Sequence, residues 1–170
     1  STRATTPVRV PVEVRDASGE LLQQTISNPD GYFTFRNVPV GIVEVIANQD
    51  TRSARVRFSR NPNEHARLAL TIAEVNPAVV KLNVRSAKPE EPDGSVSLEE
   101  DEEDPFTVEG EDADSQVIPV VPVSWAVIGG IGDINPDGRF TAKHQGDGQL
   151  VAQHGGVNKH VQLHVMIKDR

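Results

Sequence analysis

Residues 121–142 read Val-Pro-Val-Ser-Trp-Ala-Val-Ile-Gly-Gly-Ile-Gly-Asp-Ile-Asn-Pro-Asp-Gly-Arg-Phe-Thr-Ala, and this stretch leaves little room for anything but β structure. Val121, Val123, Trp125 and Val127 fall two apart, the period of a strand with one buried face. Trp125, the only tryptophan of the chain, sits in the middle of that run. Gly129, Gly130 and Gly132 then interrupt the strand, and Asn135-Pro136-Asp137-Gly138 turns the chain. Proline sets φ, aspartate can bond its own backbone, and glycine accepts φ > 0. Arg139-Phe140-Thr141-Ala142 begins the return. The segment is expected to be two strands around a buried tryptophan, joined by a glycine-rich corner.

The same reversal occurs earlier. Asn28-Pro29-Asp30-Gly31-Tyr32-Phe33-Thr34 and Asn135-Pro136-Asp137-Gly138-Arg139-Phe140-Thr141 agree at most positions. Each is read as a tight turn that drives an aromatic into a core. Helical periodicity is almost absent, while valine, proline and glycine are frequent, which favours strands between many turns. The 170 residues suit two halves, each able to bury a modest core without staples. The expected fold class is all-β, with two tandem β-sandwich domains.

Residues 1–7 are polar and threonine-rich, an extended N-terminal arm. Val8, Val10, Val12 and Val14 alternate with Arg9, Pro11, Glu13 and Arg15, a half-buried strand. Pro11 lacks an N–H and places that strand at a sheet edge. Turns at Asp16-Ala17-Ser18-Gly19, at residues 28–31, at Pro39-Val40-Gly41 and at Asn61-Pro62-Asn63 separate strands over 20–27, 32–38, 42–47, 51–60 and 67–72. The first domain is expected over 8–74 and the second over 78–170. Within the second, residues 89–114 are an acidic loop with no base after Lys88, although Val96 with Leu98, and Phe106 with Val108, have strand spacing. Residues 148–152 and the alternating Val161, Leu163, Val165 and Ile167 form the closing strands.

A strand ending in Asp16-Ala17-Ser18-Gly19, an exchange strand, the run Asn28-Pro29-Asp30-Gly31-Tyr32-Phe33-Thr34-Phe35-Arg36-Asn37-Val38-Pro39-Val40-Gly41 and a hydrophobic strand from Ile42 together resemble the carboxypeptidase regulatory-like (transthyretin-like) domain family over residues 8–72. The chain departs from the pattern at Ile42, where an aromatic often follows the glycine. Val123-Ser124-Trp125-Ala126-Val127, the glycine corner, Asp137-Gly138-Arg139-Phe140-Thr141-Ala142, Gly146-Asp147-Gly148, Val151-Ala152 and the last strand resemble a bacterial Ig-like domain over residues 78–168. The acidic insertion before Phe106 is not part of that pattern. The first resemblance implies an accessory module without catalytic residues. The second implies a spacer, binding module or assembly unit, as in adhesins, surface-layer proteins and multidomain secreted enzymes.

Composition excludes several chemistries. There is no cysteine, hence no disulfide and no thiolate ligand or nucleophile. A net charge of −8 argues against nucleic acid and against an anionic membrane, and no apolar run reaches membrane-spanning length. Ser1 opens the chain without a methionine or a signal peptide, as expected of a processed protein or a fragment. Gly129-Gly130-Ile131-Gly132 lacks the following helix that a phosphate loop needs. No Gly-x-Ser-x-Gly elbow is present.

The acidic run invites calcium, through Asp101, Asp104, Asp112 and Asp114, but lacks Asp-x-Asp-x-Asp-Gly spacing. The plainer reading is a solvated, repelling loop. A third has the run meeting a basic face made by Arg52, Arg55, Arg57, Arg60 and Arg67. His160 and His164 share one face of the last strand, with His65, His144 and His154 elsewhere, and all are expected as solvent-facing polar residues rather than metal ligands.

The expectation is a non-catalytic, extracellular or cell-surface structural protein: an appendage subunit forming filaments with copies of itself, or binding other surface proteins. Val8, Val10, Val12 and Val14 would add as a strand to a neighbour's sheet edge. The alternative is an accessory carbohydrate-binding or adhesion module of a larger secreted protein, touching polysaccharide through Tyr32. No cofactor beyond calcium, no nucleic acid and no membrane insertion are expected.

Overall fold

Segments with one apolar face stay folded only where another layer covers that face, so a chain of alternating strands must stack its sheets. A computed structural model of the protein describes residues 2–4, 9–29, 32–62 and 64–167. The first half forms β1 (Thr2–Ala4), β2 (Pro11–Asp16), β3 (Leu21–Ile26), β4 (Tyr32–Phe33), β5 (Gly41–Gln49), β6 (Arg52–Arg60) and β7 (Ala66–Leu70). The second forms β8 (Lys81–Arg85), β9 (Val96–Glu99), β10 (Glu103–Pro105), β11 (Thr107–Glu111), β12 (Val117–Ile118), β13 (Ser124–Ile128), β14 (Gly132–Ile134), β15 (Arg139–Ala142), β16 (Gly146–His154) and β17 (Val157–Met166). No helix occurs among the described residues, so the class is all-β as expected.

A seven-stranded sheet, β4-β1-β7-β13-β16-β17-β9, is the middle layer. On one face Trp125, Val127, Leu150, Ala152 and Leu163 pack with Leu82 and Phe140 from two three-stranded sheets, β12-β11-β8 and β10-β15-β14, and with Phe106, which links β10 to β11. On the other, Leu68, Leu70, Ala126, Ile128 and Val151 pack with Val12, Val45, Val56 and Phe58 of the four-stranded sheet β3-β2-β5-β6. The sandwiches stand back to back on one shared sheet. Residues 73–77 do not part the sheets of the two halves, because β7 pairs antiparallel with β13, Ala69 opposite Trp125.

This sharing explains why the tryptophan strand is buried on both faces rather than one: all five residues of β13 are buried. The polar member, Ser124, is satisfied because its Oγ accepts the Thr71 N–H at 3.0 Å. The glycine corner does not return the chain beside β13. Gly129 and Gly130, at φ 115° and 69°, lead it out of the middle layer into the β14–β15 hairpin. The segment holds three strands, β13, β14 and β15, rather than two.

In both Asn-Pro-Asp-Gly turns the asparagine bonds the residue that follows the glycine. Asn135 Oδ1 accepts the N–H groups of Asp137 and Arg139 at 3.0 Å each, and the Asn135 N–H donates to Arg139 O at 3.1 Å. Asn28 Oδ1 accepts the Tyr32 N–H at 2.9 Å, and the Asn28 N–H donates to Tyr32 O at 2.8 Å. Asp30 and Gly31 lie outside the described residues. Phe33 and Phe140 are both buried behind these turns, as expected.

Other expectations are corrected. β2 is not an edge strand but lies between β3 and β5. Pro11 is its first residue and the ladder with β5 starts at Val12, so the missing N–H falls where a strand tolerates it. The strand expected over 32–38 shrinks to β4, and Asn37 takes φ 58° in the irregular run after it. The expected acidic loop 89–114 carries β9, β10 and β11, because Val96, Leu98 and Phe106 join the core. Within the expected arm 1–7, Thr2–Ala4 pair with β4 and, in parallel, with β7; Ser1 and residues 5–8 are outside the described residues.

Candidate functional site

An edge strand exposes unpaired N–H and C=O groups, so the edges decide what a protein of this build offers to others. The middle sheet ends in β4, two residues long, and in β9. The edge strand β6 carries Arg52, Arg55, Arg57 and Arg60, and Gln153 Oε1 accepts its Arg57 N–H at 2.7 Å. β3 differs. Leu21-Leu22-Gln23-Gln24-Thr25-Ile26 contains no charge, no proline and no glycine, and among the described residues it pairs with β2 alone.

Local chemistry fixes β3 in place. Asp16 Oδ1 accepts from the Ser18 N–H and Oγ–H and from the Glu20 N–H, between 2.7 and 2.9 Å, while Gly19 supplies φ 88°. These bonds, the Ser18 hydroxyl foremost, hold the Asp16 carboxyl below its ordinary pKa. Arg15 donates to Gly19 O at 2.7 Å and grips Glu13 through two N–H groups at 2.8 and 3.2 Å. The register shifts between Val14 and Arg15, which sets Leu21 opposite Arg15. Leu22 packs on the core, and Gln23 Nε2 donates to Arg36 O at 2.7 Å. Leu21, 41 % exposed, and Ile26, 61 % exposed, are left outside.

The outer face of the same sheet alternates in charge. Arg15, Glu44 and Arg57 lie in one cross-strand row, and Arg55 reaches Glu44 at 3.8 Å. The arginines expected to form one basic face are dispersed. Arg52 faces Glu74 at 3.9 Å, Arg67 faces Asp133 at 3.4 Å, and Arg60 donates to Val38 O at 2.6 Å.

The valines expected to leave the chain as an assembly strand are instead core. Val10, Val12 and Val14 are buried, and β2 has a partner on each side. Val8 lies outside the described residues. The carboxylates suggested for calcium are not gathered, and among the described residues no three His, Asp or Glu converge. Asp104 is buried and accepts from Ser86 Oγ–H and, at 3.0 Å, from the Ala87 N–H. Asp112 Oδ1 accepts the Asp114 and Gln116 N–H groups, both at 2.9 Å, in a turn of its own. Asp101 sits at φ 70° in the turn between β9 and β10. Neighbouring acids are used similarly: Glu102 pairs with Lys88 and caps the Glu99 N–H at 2.7 Å, which lowers its pKa, the Lys88 contact most.

His154 is not solvent-facing. Its ring lies in the core, Nε2 accepting the Asn76 N–H at 2.9 Å and Nδ1 donating to Pro122 O at 2.7 Å, which ties residues 73–77 to the approach of the tryptophan strand. β17 sets His164 between Asp147 on β16 and Ser97 on β9, with Nδ1 2.5 Å from Asp147 Oδ1. Among the described residues no hydrogen bond joins Ser97 to that ring. Tyr32 is 45 % exposed, as a glycan contact requires.

Sequence reasoning placed a strand over 20–27 but did not mark it as an open edge, because pairing is not a local property. The available signal was its lack of charge between Glu20 and Asp30. The chain matches no family model and no curated protein.

Proposed function

We propose that this protein is a non-catalytic structural protein of the cell exterior, a surface or appendage subunit that assembles through sheet edges with copies of itself or with other surface proteins. The observation that carries the reading is the uncharged six-residue edge of β3, whose first and last residues, Leu21 and Ile26, are exposed. A neighbouring strand adds to such an edge through main-chain hydrogen bonds, and alternate side chains supply specificity. Repeated head to tail, a contact whose rotation does not close a ring gives a filament. β2 is a poor donor, since removing it would uncover Ala126, Ile128 and Val151. The test is Gln24→Lys combined with Ile26→Lys, two outward positions on β3. Light scattering and negative-stain electron microscopy should find concentration-dependent assembly that the double variant abolishes at an unchanged melting temperature. A wild-type chain that stays monomeric at every concentration, or assemblies indifferent to both lysines, would sink the edge reading.

The second reading, an accessory module for polysaccharide, is favoured by the exposure of Tyr32. It expects a monomer that binds a glycan array, with Tyr32→Ala losing the signal.

A further inference from the structure

At one end of the four-stranded sheet the sandwich stays open. β4 stops after two residues and residues 34–38 run irregularly, leaving a cavity of about 540 Å³. That volume is in the range of small-molecule sites. The floor is apolar, built by Val45, Phe58 and Leu68 of the core. Phe33 and Phe35, edge to face with ring centroids 5.8 Å apart, form a wall.

The mouth carries Arg36 and Arg60. Arg15, Arg52, Arg55, Arg67, Arg85 and Arg139 each have a carboxylate within 4.0 Å. Among the described residues Arg9, Arg36, Arg57 and Arg60 have none; of these four Arg36 and Arg60 line the cavity, and Arg60 spends one N–H on Val38 O. Glu64, the acid at the mouth, accepts the Asn61 N–H at 2.9 Å. Two cations without counter-ions beside an apolar floor stand out in a chain of net charge −8.

We infer that this cavity binds a small amphipathic anion, an alkyl or aryl carboxylate, with its apolar body on Val45, Phe58 and Leu68 and its carboxylate held by Arg36 and Arg60. A guanidinium offers parallel donors that match a carboxylate, and the apolar body gains by leaving water. A neutral lipid would leave both arginines unanswered, and a bare inorganic anion would leave the floor wet.

The probe is dodecanoate, titrated below its micellar range into the full chain by calorimetry, with methyl NMR of Val45 and Leu68 to locate it. Saturable binding is expected, with shifts at both methyl groups. Arg36→Glu should weaken it at least tenfold, about 1.4 kcal/mol, at an unchanged melting temperature. Dodecan-1-ol should bind at least tenfold more weakly than dodecanoate. Arg36→Gln serves in place of the charge reversal if that variant melts early. No saturable binding, shifts confined elsewhere, or equal affinity for the alcohol or in the Arg36 variant would each overturn the inference.

Discussion

Replacing Gly138 by alanine tests whether the shared core is packed as described. Gly138 has φ 90°, and an added Cβ would lie 2.7 Å from Phe106 O and 2.9 Å from Trp125 Cζ2. Neither neighbour can withdraw easily. The Phe106 carbonyl is backbone between β10 and β11, and Trp125, 2 % exposed, is held in a strand covered on both faces. The left-handed backbone costs an L-residue about 1–2 kcal/mol, and overpacking about 1–3 kcal/mol more. Gly130→Ala is the control. It shares a positive φ, 69°, but its Cβ would meet nothing within 4 Å, so only the backbone cost applies. For a chain of this size each kcal/mol lowers the melting temperature by about 2–4 °C. Gly138→Ala should therefore melt roughly 4–20 °C below wild type, with Gly130→Ala well above it. Urea unfolding followed by the fluorescence of Trp125, the lone tryptophan, measures both variants. If Gly138→Ala costs no more than Gly130→Ala, the packing of this turn against Trp125 is refuted.

Asp104→Ala should destabilise by about 2–4 kcal/mol, because Ser86 Oγ–H and the Ala87 N–H lose their buried acceptor; Asp104→Asn should cost less, and equal losses by urea titration would contradict the hydrogen-bond account. Acid should weaken the fold in two windows. Partial desolvation lowers the pKa of His160, an exposed residue of β17, so the unfolded chain takes that proton first and stability falls slightly as pH drops below about 6.5 toward the lowered value. Asp16, Asp93, Glu102 and Glu111 are lowered mainly by hydrogen bonds, so their contribution is complete above the ordinary carboxylate range near pH 4 and is lost as pH falls through the lowered values. Melting curves from pH 7 to 3 check the sign, and Glu102→Gln should flatten the lower limb. Millimolar calcium should leave the melting temperature where a chelator leaves it, since Asp104 and Asp112 are engaged within the chain; a rise would reveal a site.

Much of the strand content was legible because it follows from side-chain period and turn chemistry, both local. Phe33 and Phe140 behind matching asparagine turns needed no tertiary knowledge. Interior or edge is a different kind of fact. Pro11 pointed to an edge, but a proline at the first position of a strand forfeits nothing the ladder uses. Trp125 signalled a core, while the small Ala126 and polar Ser124 beside it looked like an outer face. A second layer covers them, and nothing local announces a layer contributed by residues a hundred positions earlier. The acidic run misled through composition: its carboxylates dominate the eye, yet Val96, Leu98 and Phe106 between them decide that it is strand. His154 was misjudged for the same reason. Its burial depends on the Asn76 N–H and the Pro122 carbonyl, and neither is its neighbour in sequence.

The edges connect this architecture to the proposed role. Natural sheets guard their edges with charge, brevity or a covering segment. β6 has four arginines and the Gln153 amide, while β4, β12 and β14 are two or three residues long. β3 is six residues long, carries no charge and among the described residues pairs with no strand but β2, while the hairpin beside it is reinforced by the Asp16 and Arg15 bonds. A chain selected only to stay apart from its copies gains nothing from a stiff, uncharged edge with Leu21 and Ile26 outward. Self-association through some other surface would not require it either. The combination of a reinforced hairpin and an uncharged strand is what edge-to-edge addition needs, because an acceptor that is already ordered gives up less entropy when its partner arrives.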